Sequence, residues 1–301
     1  MSNSNENVMP TVVILISDSN DENNSNGWQT YYPTLIPIFE KLGVRAISAP
    51  WSKCPDSNNP SSSIYVANLA WGYDCVPDRW NAWLDAWPDH IRLINSKSLL
   101  KWNTYKTYLQ DLETQGVPIV PTLYVDKVNE TTLANAATHF NRTELVVKPV
   151  ISASSRNTFR ISIERDDLAL ISNNIDTNER MMIQPFMSSI SHEGEISVLI
   201  FNGKVSHAVR KVPHQDDFRV QKEYGGVSSA VEPIPPEIRS LVQITMAACP
   251  EQPIYARIDM VRNDKTNVLS IMELELIEPG LFLHYAPDKG HAFAQAILQH
   301  R

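Results

Sequence analysis

Three acidic side chains stand where apolar ones are expected. In "IMELELIEPG", Ile271 to Gly280, the residues Glu273, Glu275 and Glu278 interrupt a run that otherwise reads as a buried strand. Alternation along a strand puts Glu273 and Glu275 on one face and Met272, Leu274 and Leu276 on the other. Upstream, "PIYARIDMVRNDKTNVLSIMELEL" reads as a hairpin with its polar turn centred near Thr266. Folding the chain there sets Asp259 opposite Glu273, since each lies seven residues from Thr266, and brings Arg257 to the same face. Like charges facing each other across a ladder destabilise it. A hard divalent cation removes the conflict, and magnesium needs only a few carboxylates beside water and phosphate oxygens. A solvated sheet face is the plainer account of two glutamates alone; Asp259 in register favours a metal. A turn centred one residue away would point Asp259 to the other face.

Magnesium of this kind implies a phosphate partner, yet the chain has no GxxxxGK[ST] and no GxGxxG. It has lysines in costly places instead. Lys148 lies inside the strand-like "LVVKPV", where an ammonium needs an anion. Lys106 falls in the first turn of a predicted helix, where backbone N–H groups already favour phosphate. Each alone reads as a snorkelling surface lysine. With the acidic hairpin they form a coherent polyphosphate site. The histidines show no metal spacing, and His207, near Arg210, is retained as a substrate contact.

Elements must bring these residues together. "TVVILIS" suits a buried parallel strand, "WQTYYPTLIPIFEKLG" a helix closed by Gly43, and "VRAISAP" and "SIYVANLAW" two further strands. Trp80, Trp83, Leu84 and Trp87 recur at helical spacing and read as a core face. Strands alternating with helices predict a small doubly wound α/β lobe over 1–95. Next, Asn103 is placed to cap a helix that carries Tyr105, Leu109 and Leu112 inward and ends at Gly116. "LVVKPV", "FRISI" and "MMIQPF" read as strands, and Asn202-Gly203 marks a tight hairpin. Residues 96–301 are thus α+β with antiparallel sheet, and 122–187 is the candidate mobile lid.

The chain has 301 residues, 43% hydrophobic and 20% charged, enough for two or three packed lobes. A net charge of −8 argues against a nucleic-acid partner. Three widely spaced cysteines suggest neither zinc nor a disulfide framework. The polar N-terminus does not read as a secretory signal, and no apolar run is long enough to span a bilayer, so a cytoplasmic protein without a membrane partner is expected.

The order of these motifs resembles the ATP-grasp superfamily, in its glutathione-synthetase-like branch. It covers the chain from about Asn95: a helix-borne lysine before "GVPIVPT", then "VVKP", "IQPF", "EGE", "NGK", "DFR", "GG", "RIDMV" and "MELELIEP". "LAWGY" and the tryptophan helix resemble ligases of the O-ureido-D-serine cyclo-ligase type, with Gly72 where those carry an acidic residue. The flap after Lys148, glycine-rich in the family, is here "ISASSRN".

The resemblance implies two sheet lobes clamping ATP, with Mg2+ (or Mn2+ in its place), and ADP-forming ligation of a carboxylate to an amine through an acyl phosphate. It implies that Lys106 and Lys148 hold ATP phosphates and that Gln184, Pro185, Phe186 and Met187 form the adenine hinge. Glu195 would take the ribose, and Asp259, Glu273 and Glu275 the metal. Arg219 is matched to the transferred phosphate, and Arg210 to the substrate. Gly225, Gly226 and Glu278 complete the substrate side. Small amino-acid-like substrates and a homodimer follow by analogy. Ring closure within one molecule, or a non-catalytic nucleotide-binding protein on this fold, are the alternatives.

Overall fold

The computed structural model describes residues 9–18, 27–56, 62–175, 179–214, 217–221 and 224–300. The polar N-terminus and most of the polar loop that follows the first strand lie outside them. The described chain forms three sheets, a parallel α/β lobe followed by two lobes built on antiparallel sheets.

The first sheet is parallel, with strand order β2-β1-β3-β4, from β1 (Thr11–Ile16), β2 (Arg45–Pro50), β3 (Ile64–Leu69) and β4 (Arg92–Ile94). Every residue of β1 is buried, as expected where helices cover both faces. Helix α1 (Trp28–Glu40) packs on one face and α2 (Pro77–Ala86) on the other. Trp80, Leu84 and Trp87 belong to the second face's core, as their spacing predicted.

The boundary near residue 95 is not a gap in packing. Helix α8 (His291–Leu298), at the far end of the chain, lays Phe293, Ala294 and Ile297 into the same cluster as Val12, Ile14 and Phe39. Asn95, 1% exposed, accepts from the Ile254 N–H at 2.7 Å and donates to the carbonyls of Tyr255 and Leu276. The first lobe is closed only when the end of the chain returns to it.

The predicted helix from Asn103 to Gly116 is two helices, α3 (Lys97–Thr104) and α4 (Tyr108–Thr114). Asn103 does not cap. It lies in the last turn of α3, with its side chain bonded to the Leu274 carbonyl and the Leu276 N–H, both at 2.8 Å. Tyr105 is extended and exposed, so it does not point inward, and Lys106 sits in the break between the helices. Gly116, at φ +83°, ends the second helix as predicted.

A four-stranded antiparallel sheet, β5-β8-β6-β7, lies within 122–187. It comprises β5 (Leu123–Val125), β6 (Glu144–Pro149), β7 (Phe159–Ser162) and β8 (Met181–Pro185), backed by α5 (Glu130–Phe140) and α6 (Leu168–Asn174). The third sheet runs β11-β10-β9-β12-β13, from β9 (Glu195–Phe201), β10 (Lys204–Val212), β11 (Val227–Ala230), β12 (Tyr255–Arg262) and β13 (Leu269–Glu275). Helix α7 (Pro236–Ala247) covers one of its faces. Asn202 and Gly203, at φ +49° and +74°, make the predicted tight turn between β9 and β10.

Candidate active site

The face of the third sheet opposite α7 carries the acidic hairpin. Asp259 pairs with Glu273 and Arg257 with Glu275 across β12 and β13. The register is the predicted one, reached by a different route. Met260 pairs with Ile271, so Met272 is an extra residue, a bulge, between the two pairs. The bulge reverses the alternation. Ile271 joins the core under α7, while Met272 packs beside Phe186, Met187 and Val261, against the expectation that it shares a face with Leu274 and Leu276.

One ligand oxygen from each of Asp259, Glu273 and Glu275 lies within 4.8 Å of the others. An all-oxygen set at this spacing fits a hard divalent cation. The protein's own cations hold these carboxylates. Asp259, 2% exposed, accepts from Ser197, from Lys211 Nζ at 3.5 Å and from Arg257 Nη2 at 2.9 Å. Arg257 also contacts Glu275, and Lys106 Nζ lies 3.1 Å from Glu273 Oε1.

Burial alone would raise every carboxyl here. For Asp259 the adjacent Arg257 and Lys211 outweigh it and hold the group well below the usual carboxylate range. Lys106 and Lys148 likewise outweigh burial at Glu273 and lower its carboxyl. Glu275 is pushed up to about 8, by burial first and then by Glu273 and Asp259, against the pull of Arg257 and Lys211. Desolvation, with the charges of Glu275 and Asp74, also raises the Glu278 carboxyl well above its ordinary value. Burial lowers the Lys148 ammonium, and Glu273 opposes that.

Lys148 comes from β6 and Lys106 from the α3–α4 break, so two separate elements deliver cations to one acidic face. Gln184, Pro185, Phe186 and Met187 run from β8 towards the third sheet. Phe186 and Met187 pack with Val120, Ile190, Val220 and Val261 in an apolar cluster that Val146 and Met272 join. That cluster borders the carboxylates, because Met272 and Val261 are neighbours of Glu273 and Asp259 along their strands.

The profile of the prokaryotic glutathione synthetase ATP-grasp domain matches residues 118–274. The chain belongs to this family. The match runs from before β5 to Leu274 in β13, and so includes Lys148, the hinge, Asp259 and Glu273 and stops one residue short of Glu275. The chain is 27% identical over 224 residues to cycloserine biosynthesis protein DcsG of Streptomyces lavendulae, covering 69% of this chain and 73% of that protein. The crystal structure of D-cycloserine synthetase DcsG superposes with a TM-score of 0.78 at 22% identity, over 96% of this chain and 99% of that one. D-alanine–D-alanine ligase from Bacillus anthracis superposes with a TM-score of 0.66 at 15% identity, over 97% of each chain. This ATP-grasp protein is an ATP-dependent, ADP-forming carboxylate–amine ligase.

Not all the ligase's expected site residues gather at the hairpin. Glu195 does: it is buried on the carboxylate face and contacts Lys211. Arg210 does not. It pairs across the ladder with Ile196, one residue out of phase with the Lys211–Glu195 pair, on the α7 side of the sheet, and it is exposed. Arg219 is held by Asp217 at 2.7 Å and by the ring of Tyr224 at 3.5 Å, rather than by the carboxylates. His207 is a satisfied core histidine. Its Nε2 donates to the Leu281 carbonyl at 3.0 Å and its Nδ1 accepts from Ser206 at 2.9 Å. Gly225 and Gly226 shape the loop after Arg219: a Cβ on Gly226 would lie 2.0 Å from the Val220 carbonyl oxygen.

Sequence reasoning assigned no role to Lys211 and gave Arg257 no more than a place on the face. Lys211 is buried and Arg257 half-buried, and both contact the carboxylates of the acidic side. Period-2 counting back from Asp259 finds Arg257, and counting from Arg210 shows that Lys211, not Arg210, shares a face with Glu195.

Proposed function

We propose that this ligase activates a small amino-acid-like carboxylate on the acidic face and passes it to a nitrogen nucleophile. The γ-phosphate of ATP transfers to a carboxylate oxygen, giving an acyl phosphate and ADP. The nitrogen lone pair then attacks the acyl carbon, phosphate leaves with the C–O electron pair, and the nitrogen loses a proton. Asp259, Glu273 and Glu275 would hold magnesium, which supplies charge neutralisation at the phosphates. Lys106 and Lys148 bind and orient the phosphate chain. The backbone of Gln184–Met187 reads adenine, with Met272 and Val146 as apolar walls, and Glu195 faces the ribose. Arg257 is fixed by Asp259 and Glu275 and offers a guanidinium to the negative charge that develops as the nitrogen attacks. Glu278 lies at the substrate end, and the 122–187 sheet acts as a lid that keeps water from the acyl phosphate.

One observation carries this reading: three carboxylates with ligand atoms within 4.8 Å of one another face two lysines from separate elements. Thermal unfolding with and without Mg·ATP tests it. At a hundredfold its dissociation constant the ligand adds about 2.7 kcal/mol to the folded state. That gain should require magnesium and vanish when Glu273→Gln and Glu275→Gln are combined. An equal gain in the double variant would sink the metal assignment.

Likeness to DcsG over almost the whole of both chains favours a second form of the same chemistry, in which carboxylate and nitrogen belong to one molecule. Mass spectrometry separates the two. Ring closure gives one substrate minus water; joining gives the sum of two minus water.

A further inference from the structure

The segment 151–157, which joins β6 to β7, corresponds to the flap that is glycine-rich in ATP-grasp ligases and contains no glycine here. Its backbone nonetheless takes glycine-like conformations. Ser154, Ser155 and Asn157 have φ of +48°, +57° and +51°. Non-glycine residues stay in that region only where their surroundings hold them, and the holding groups are visible. Asp74, 5% exposed, follows β3 in the N-terminal lobe. Its Oδ2 accepts from Arg156 Nε at 3.1 Å and from the Ala153 backbone N–H at 3.2 Å. Arg156 Nη2 donates to the carbonyls of Ile151 at 3.0 Å and Asp74 at 3.4 Å. Its Nη1 donates to Glu179 Oε1 at 3.1 Å, just before β8. On the other flank, Gln221 Nε2 donates to Ser155 Oγ at 2.7 Å.

We propose that Arg156 and Asp74 form a latch that holds flap 151–157 against the N-terminal lobe with and without nucleotide, replacing by fixed contacts the mobility a glycine flap would have. Arg156 is a positioning residue. It reaches the reaction only through the flap backbone, which rests over Lys106 through the Ser152 carbonyl. The consequence for catalysis rests on the ligase reading above: nucleotide binding need not order the flap, and the pocket that shelters the acyl phosphate is preformed. The same carboxylate also offers a rival account. If Asp74 merely occupies an N–H that phosphate would otherwise take, it competes with nucleotide, and removing it improves binding.

Amide hydrogen exchange of 151–157 and the dissociation constant of Mg·AMP-PNP decide this in the full-length protein, its Arg156→Ala and Arg156→Lys variants, and Asp74→Asn. Exchange at the core strand β6 serves as the control for folding. With the latch, Arg156→Ala speeds flap exchange about tenfold or more, the scale of losing hydrogen bonds to a charged partner. It does so with and without nucleotide while β6 stays protected. Arg156→Lys, which keeps the charge but not the fork, recovers part of the protection. Asp74→Asn falls between them, and the dissociation constant rises severalfold in Arg156→Ala. Unchanged flap exchange in Arg156→Ala, or tighter nucleotide binding in Asp74→Asn, overturns the proposal. If the wild type fails to bind Mg·AMP-PNP, the nucleotide reading falls, and exchange in the free protein still decides whether the latch exists.

Discussion

Asp259 and Glu273 both belong to the acidic cluster, but the protein relies on them differently. Asp259 is 2% exposed and is shared by Ser197, Lys211 and Arg257. Neutralising it removes one of the two carboxylates that each of Lys211 and Arg257 contacts in a largely desolvated site, so Asp259→Asn should cost about 3 kcal/mol of stability before any ligand is added. Glu273 has 25% of its side chain exposed and a single bridge to Lys106. Glu273→Gln should cost below about 1 kcal/mol in urea unfolding, yet still remove magnesium-dependent stabilisation by ATP. Equal stability losses would show that the two carboxylates are not divided in this way. His207 gives a pH prediction at the same scale. Burial lowers its pKa in the folded state, against the partial support of the Leu281 carbonyl. The unfolded chain therefore takes up this proton first. Full stability is present above the unfolded value of about 6.5 and falls as pH drops below it. His207→Gln should be less stable at neutral pH and lack this part of the acid slope. A parallel slope in wild type and variant would place the loss elsewhere.

At the scale of the element, the acidic hairpin was legible and its detail was not. Alternation and a polar turn sufficed to set Asp259 against Glu273. Nothing in "SIMEL" marks Met272 as the inserted residue, because bulges answer to what must pack on each side rather than to a local pattern. Ile271 is drawn into the core under α7, and Met272 is left to the apolar cluster beside the hinge. The break at Lys106 was hidden for a similar reason: helix spacing runs through it, and the bonds that hold the break are long-range, from the Lys106 N–H to the Val150 carbonyl and from Asn103 and Tyr108 to the backbone of Leu274 and Leu276. The bulge carries its own prediction. If Met272 is a wall for adenine, Met272→Ala loses apolar contact worth about 1.5 kcal/mol, roughly tenfold in affinity. Calorimetric titration should show that loss for Mg·ATP and none for magnesium tripolyphosphate, which lacks the base. Equal losses for both would mean that the substitution disturbs Glu273 rather than the apolar wall.

Across the whole molecule, the sequence divides more cleanly than the packing does. The change from alternating strands and helices to hairpins leads to a boundary at residue 95, and the strand before it, β4, ends at Ile94. What local pattern could not reveal is that the last helix belongs to the first lobe. "HAFAQAIL" shows an apolar face without naming the surface that covers it, and that surface lies more than 200 residues away in sequence, on β1 and α1. Leu199, Phe201 and Tyr255 of the central sheet join the same cluster, so one core spans the proposed boundary. The fold thereby anchors the lobe that carries Asp74 to the sheet that carries the carboxylates, and the 122–187 sheet, which has a core of its own, is tied to that body where Arg156 of its flap meets Asp74. This arrangement predicts that the first lobe and the central sheet unfold together. Phe293 is fully buried, and Phe293→Ala should cost about 4 kcal/mol. In calorimetry that loss should lower a single main transition and shift the fluorescence of Trp51 and Trp80 with it, since both tryptophans lie in the first lobe. A variant whose tryptophan signal melts at a distinctly lower temperature than its main heat-absorption peak would show two independent cores. Substrate and nucleotide sites would then be joined only through the hairpin and the flap.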